Sequence, residues 1–335
     1  MRIGIIGTGW IAAKHLESLK LVNGAEVVAV AGRNQQRASE LAAPLGATVY
    51  EDYLPMLQRE SLDAVFVLLP PHLHGDVERA CAEHVGAVLL EKPITTSMTQ
   101  AREIYSYFKQ ADTIVSVGYM NRYRDAVQAA RAVFSKPEAG GVMANGWWIT
   151  QMPPPAWWRC MEQSGGQFVE QCTHLVDLSR YLFGEVQEVS AYSMRGFITE
   201  VPNVSVDDGM VVNVRFECGA LGSFCTGCFP LAGHPEGLGA GISLNLSSRK
   251  KRVVFEGSNF EAKLFSGESD VIDLPVGEDP FHVQTRTFLK AVENQDAGQI
   301  LSDYEDAMRT LAVTLAANES AHERGGAPVR VEAVL

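Results

Sequence analysis

The sequence predicts an α/β chain of two domains: a doubly wound parallel sheet over residues 1–121, then an α+β domain over residues 122–335 built on a large, predominantly antiparallel open sheet. Three observations carry this. β-Branched runs alternate with amphipathic helical stretches through the first part of the chain. The pattern then changes to alternating strands punctuated by glycine. The length, 335 residues, exceeds that at which one hydrophobic core stops growing.

Taken in order, the opening MRIGIIGTGWIAAKHLESL joins a β-branched strand, a glycine turn and a helix starting near Trp10. Gly7, Gly9 and Ala12 fit the GxGxxA form of the dinucleotide fingerprint. Gly7 permits the tight turn, Gly9 leaves room for a pyrophosphate, and Ala12 lets helix and strand approach closely. Thr8, Trp10 and Ile11 complete the turn, and the helix N-terminus offers amide donors to an anion. This is the start of a Rossmann domain for NAD(P). Strands AEVVAVA, DAVFVLL, GAVLLEK and TIVSVGY follow, separated by helical NQQRASELAAPLG, LHGDVERACAEH and SMTQAREIYSYFKQ.

Ligands of such sheets bind beyond the carboxyl ends of the strands. The turns GTGW, AGRN, LPPHLH, EKP and GYMNRY are therefore expected to converge on one crevice. Gly32 and Arg33 end the second strand, where an NAD enzyme places a carboxylate on the adenosine ribose. No carboxylate stands there. Gly32 leaves space and Arg33 offers a fork for a 2′-phosphate, so NADP is favoured over NAD; Arg33 stacked on the adenine would suit either. Leu69 and Pro70 border the crevice, and His74 touches the cofactor or caps a helix. Glu91 and Lys92 end a core strand with two charges, and both are expected at the cofactor. Asn121 and Arg122 reach the nicotinamide ribose or the substrate, or else form a salt link at the domain boundary; Tyr119 and Tyr123 bind or simply pack.

In the second half, strands VMANGWWIT, VQEVSAYSMRGF, GMVVNVRFE, ALGSFCTGCF, GISLNLS and KRVVFEG surround one informative helix, GGQFVEQCTHLVDLSRYLFG. There Glu170, His174 and Asp177 stand at i, i+4 and i+7 and form one polar stripe, opposite Phe168, Cys172, Leu175 and Leu182. Periodicity alone leaves that stripe either solvated or functional. Trp157, Trp158 and Arg159 on the neighbouring proline-rich loop suit the apolar face and hydroxyls of a sugar. The tail reads as a long helix opened by a capping box at Ser302 and Glu305.

Several classes are excluded. A net charge of -12 opposes attachment to nucleic acid or anionic lipid, and the one basic cluster, SSRKKR, reads as a solvated turn. The longest apolar run is too short to span a bilayer, and a first strand at Arg2 leaves no room for a targeting segment, so a cytoplasmic protein is expected. Cys225 and Cys228 form a CxxC in an alternating strand, where residues three apart point to opposite faces; His234 is the lone candidate for a further ligand, and no metal is expected.

Taken together, GTGWIA, LPPHLH, EKP, GYMNRY and GGQFVEQCTHLVDL, in this order over nearly the whole chain, resemble the glucose-fructose oxidoreductase, inositol dehydrogenase and MocA family of NAD(P)-dependent oxidoreductases. The resemblance implies that Lys92 lies in the active site, that the bond to Pro93 is cis, and that His174 faces Lys92 across the nicotinamide. It makes Lys92 and His174 the catalytic pair, with Glu170 and Asp177 orienting His174 or binding hydroxyls; where the family's helix has an aspartate and a glycine, this one has Glu170 and Cys172. Lys92, Tyr119, Arg122, Trp157, Trp158, Glu170 and His174 would meet a sugar, sugar derivative or cyclitol. Some relatives instead cleave glycosides with a retained cofactor, and others bind cofactor only to regulate. Relatives also pair through the open face of the second sheet, implying a homodimer or homotetramer.

Overall fold

In a computed structural model, residues 1–135, 140–229, 241–267 and 270–335 are described. The chain forms two compact units, Met1–Tyr123 with Glu278–Met308, and Arg124–Gly277 with Arg309–Leu335.

The first unit is a six-stranded parallel sheet in the order β3-β2-β1-β4-β5-β6. Its strands are β1 (Arg2–Ile6), β2 (Glu26–Ala31), β3 (Thr48–Tyr50), β4 (Ala64–Val67), β5 (Ala87–Leu90) and β6 (Ile114–Val117). They alternate with helices α1 (Trp10–Lys20), α2 (Gln35–Ala42), α3 (Tyr53–Arg59), α4 (Asp76–His84) and α5 (Met98–Gln110). β4 and β5 are buried at every position, as strands covered on both faces must be. Side chains fix the helix starts: Asn34 accepts from the Arg37 amide, Asp52 from Leu54 and Ser97 from Gln100.

The second unit holds nine strands among the described residues, ordered β14-β13-β12-β11-β7-β10-β9-β8-β15. They are β7 (Gly141–Ile149), β8 (Val186–Met194), β9 (Gly209–Phe216), β10 (Leu221–Gly227), β11 (Gly241–Ser248), β12 (Lys251–Glu256), β13 (Glu261–Ser266), β14 (Asp270–Asp273) and β15 (Val329–Arg330). Neighbours are antiparallel except β7 with β10. Helices α6 (Asp125–Phe134), α7 (Met161–Ser164), α8 (Gln167–Glu170) and α9 (Thr173–Phe183) belong here, while α10 (Pro280–Asn294) and α11 (Tyr304–His322) complete the chain. One sheet face buries Ala144, Val189, Val212, Val214, Phe224 and Leu244 with Leu175 and Leu178 of α9. The basic cluster is the exposed turn between β11 and β12.

Three features depart from the sequence reading. Residues 278–308 were placed in the second domain, yet they pack with the first, because Phe288, Leu289 and Val292 of α10 complete the core beneath β1 and β4. There Phe288 meets Phe66 edge-on at 5.6 Å, Gln284 donates to the Val117 carbonyl (2.8 Å), and the Val117 amide donates to Ser302 (2.9 Å), covering the free edge of β6. The cap of α11 is Asp303, whose carboxylate accepts from the Asp306 amide; Ser302 is fully buried and Glu305 accepts from the Tyr105 hydroxyl. The helix carrying Glu170, His174 and Asp177 is broken, Glu170 ending α8 and His174 and Asp177 lying on α9. At the break the Gln171 and Cys172 amides both point at the Gln167 carbonyl, and the Gln167 side-chain amide ties the turn to Gly227 (2.9 Å) and Gln171 (3.0 Å).

Candidate active site

In the first unit the crevice edge is built around the turn after β1. Gly7 has φ +111°, and a Cβ there would lie 2.3 Å from the Leu68 carbonyl oxygen, so no other residue fits. A Cβ on Gly9 would meet nothing within 4 Å. Gly9 also caps α1 without a side chain, so no capping side chain takes up the first amides of the helix. That cradle suits a dinucleotide pyrophosphate. Thr8 packs its methyl against Gly32, where a Cβ would come within 2.5 Å, and Ile11 is partly buried while Trp10 is 73% exposed. Arg33 is exposed just before the Asn34 cap of α2, at the rim where a ribose phosphate would lie.

The second rim comes from the turn after β4. Leu69 and Pro70 are partly exposed, but His74 is buried. Its Nδ1 lies 2.5 Å from Glu78 Oε1 and its Nε2 lies 3.3 Å from the Leu69 carbonyl. Both partners can accept from the ring nitrogens, an arrangement that favours the doubly protonated ring. Burial would push His74 down, yet the adjacent Glu78 carboxylate outweighs it and holds it raised. The remaining Glu78 oxygen caps α4 by accepting from the Gly75 amide (2.5 Å). His74 thus bonds the Leu69 carbonyl, and its backbone amide closes the short turn Pro71–Leu73.

After β5 stands the EKP turn, with the Lys92–Pro93 bond cis. Glu91, expected at the cofactor, is turned inward: it bonds His15 Nε2 of α1 (2.9 Å) and the Lys92 amide (3.2 Å). A Cβ at Gly118 would strike its carboxylate at 2.9 Å. The side chain of Lys92 remains partly exposed. Gln100 joins the two turns, bonding the Thr95 hydroxyl and the His74 carbonyl. Beyond β6, Tyr119, Asn121 and Arg122 are buried. Arg122 bonds Asp306 (2.5 Å) and the Leu301 carbonyl (2.6 Å), and the Leu301 amide donates to Tyr123 (2.9 Å). Arg122 therefore anchors the segment 278–308 through an ion pair of the kind the sequence offered as the alternative to a ligand contact.

In the second unit the polar stripe is not solvated. His174 is 5% exposed and Asp177 1%. Asp177 accepts from Thr310 (3.1 Å), whose hydroxyl in turn accepts from Arg180 (2.5 Å), itself paired with Glu185 (2.8 Å). Trp158 is 2% exposed, and its indole N–H donates to Glu170 (2.8 Å), so it braces Glu170 where a sugar platform was expected; Trp157 is partly exposed. The platform beside His174 is a residue the sequence reading passed over. Trp148 stacks on the imidazole at 5.6 Å and 23°. Its parity in β7, shared with buried Ala144 and Gly146, was the available signal.

Among the described residues no cluster of histidine, cysteine, aspartate or glutamate could hold a metal ion. All six cysteines are free; burial pushes the Cys228 thiol up to about 12, and His234 lies outside the described residues. No helix among the described residues is long and apolar enough to cross a membrane.

Known proteins match both units. Residues 1–119 match the oxidoreductase family with an NAD-binding Rossmann fold, and residues 127–237 match the GFO/IDH/MocA C-terminal domain. Myo-inositol 2-dehydrogenase of Thermotoga maritima is 30% identical over 66% of this chain and 67% of its own. Scyllo-inositol 2-dehydrogenase (NAD(+)) of Bacillus subtilis is 27% identical, covering 99% of this chain and 96% of its own. Levoglucosan dehydrogenase in complex with NADH shares the fold, with a TM-score of 0.85 over 99% of each chain at 21% identity. With its glycine cradle, cis Lys92–Pro93 turn and buried His174, the chain belongs to the GFO/IDH/MocA family of NAD(P)-dependent oxidoreductases.

Proposed function

We propose that the enzyme oxidises a secondary alcohol of a sugar, sugar derivative or cyclitol, or reduces the corresponding ketone, with Lys92 and His174 handling the proton. The observation that carries this is a histidine 5% exposed yet stacked on Trp148, at the start of a helix buried almost throughout. The relatives' names supply the substrate class.

The Gly7–Gly9 turn and the first amides of α1 would hold the pyrophosphate. A bound nicotinamide supplies the hydride acceptor. Loss of hydride from a carbinol carbon requires its oxygen to lose a proton, and the His174 imidazole accepts it. Lys92 would supply a cationic donor to stabilise the charge that develops on the substrate. Glu170 and Asp177, held by Trp158 and Thr310, fix the two ends of the stripe around His174.

Arg33 at the rim, with no carboxylate at the end of β2, supports NADP as the preferred cofactor, although the Bacillus relative is named for NAD(+). A panel of polyols and sugars assayed with both cofactors tests this reading. Steady nicotinamide reduction, with a higher kcat/KM for NADP, is expected. Sugar release without net reduction would point to a glycosidase, and cofactor binding without turnover to a regulator.

The uncovered face of the second sheet carries Met143, Tyr192, Val211 and Leu221, all exposed. Such an apolar face supports self-association of two or four copies through it. Light scattering should give a mass of at least two chains, and Val211→Lys with Leu221→Lys should lower it; a monomeric wild type would end this idea.

A further inference from the structure

We infer that Trp148 is a substrate-binding residue: its indole N–H donates to a hydroxyl oxygen next to the reacting carbinol, and so selects substrates that carry one. This rests on the reading of His174 as proton acceptor. Trp148 Nε1 is buried and has no hydrogen-bond partner among the described residues. Leaving such a donor unsatisfied costs about 1–3 kcal/mol, and nearly all buried polar groups avoid it. No described residue around the ring relieves it. The flat neighbours are His174 at 5.6 Å and Phe260 at 6.4 Å, while Ile242 and Thr226 flank it on the adjoining strands. The Thr226 hydroxyl is directed to the backbone carbonyl of Trp148 (3.1 Å). A phenylalanine would complete the same stack with no orphaned donor.

The missing acceptor therefore arrives with the ligand, and the stack fixes where. A group bonded to Nε1 lies beside the imidazole, within the span of one small polyol. The reacting oxygen is the one that gives its proton to His174, and the indole, which can only donate, is assigned to its neighbour. The neighbouring hydroxyl, with free lone pairs, is the complementary group. Cyclitols and sugars carry hydroxyls on adjacent carbons; simple secondary alcohols do not.

The test compares Trp148→Phe with wild type, using myo-inositol, scyllo-inositol and D-xylose and their deoxy analogues lacking the hydroxyl beside the oxidised carbon. With the parent polyol the variant should lose about 5- to 100-fold in kcat/KM, mainly through KM, whereas with the deoxy analogue it should match wild type. Calorimetric dissociation constants for enzyme loaded with reduced cofactor should show the same loss of discrimination. Should the phenylalanine variant fail to fold, the benzothiophene isostere of tryptophan at position 148 keeps the fused ring and removes only the N–H. Equal losses on parent and deoxy substrates, or none on either, would overturn the inference while the dehydrogenase reading stands. Wild type that oxidises no polyol in the panel would sink that reading and the inference with it.

Discussion

Lys92→Ala and His174→Ala are each expected to lower kcat/KM by about 10²- to 10⁴-fold, the usual worth of a positioned proton-transfer group, with cofactor affinity unchanged. The separation follows from where the residues sit. The pyrophosphate cradle proposed above comprises Gly7, Gly9 and the first amides of α1, none of which depends on either side chain. Truncating Lys92 should leave its turn standing, because Glu91 holds the Lys92 backbone amide and is itself held by His15. His174 is more embedded, so its alanine variant requires a check of thermal stability before kinetics are compared; His174→Gln keeps the volume and some hydrogen bonding without a titrating imidazole. If both groups serve one proton transfer, the double variant should be little worse than the more damaged single one. Steady-state kinetics with the preferred polyol, alongside fluorescence titration of NAD(P)H, decide the matter. Near-normal turnover in both variants would remove the proposed chemistry.

Much of this architecture could be read from spacing alone, for reasons that differ by element. β4 and β5 are short apolar runs between turn residues, and a strand covered on both faces has no other way to look. Gly7 was legible because only glycine takes φ +111° with a carbonyl 2.3 Å from the Cβ position. The failures are those of patterns without an address. An amphipathic helix states that one face is buried, never against which core, and so α10 was assigned to the second domain. Residues 167–183 keep a helical period throughout, whereas the break at Gln171 is imposed by the Gln167 carbonyl and amide reaching non-periodic partners. Ser302 and Asp303 are equally good caps by composition; the cap that formed leaves Ser302 to cover β6 through its carbonyl. At the site, composition could not say which side chains meet: Trp158 bonds Glu170, Arg122 pairs with Asp306, and Trp148 stacks on His174, contacts that depend on tertiary packing.

The largest effect on stability is expected from Glu78→Ala. It should destabilise the first unit by about 3–5 kcal/mol, because removing one partner of a buried ion pair strands the other charge. Glu78 is fully buried, and without it His74 must discard a proton or break from the Leu69 carbonyl, while the Gly75 amide loses its cap. Replacing both partners, His74→Leu with Glu78→Met, should recover most of the loss, since an apolar pair leaves no stranded charge. The pH dependence has a definite sign. The folded-state pKa of His74 is raised, so its contribution is whole below the ordinary histidine value of about 6.5 and fades as pH rises through the folded value. Wild type should therefore lose its advantage over the double apolar variant as pH climbs above neutrality. Urea denaturation of each variant across that range, with exchange of the Gly75 and Arg79 amides as local reporters, measures it. A Glu78→Ala protein within about 1 kcal/mol of wild type would mean that the pair is not ionised and that the proton is shared as in a neutral hydrogen bond. The consequence reaches the edge proposed for the cofactor, because the Leu69 carbonyl is held only as firmly as the His74 ring bonded to it, and weaker cofactor binding should accompany the loss of stability.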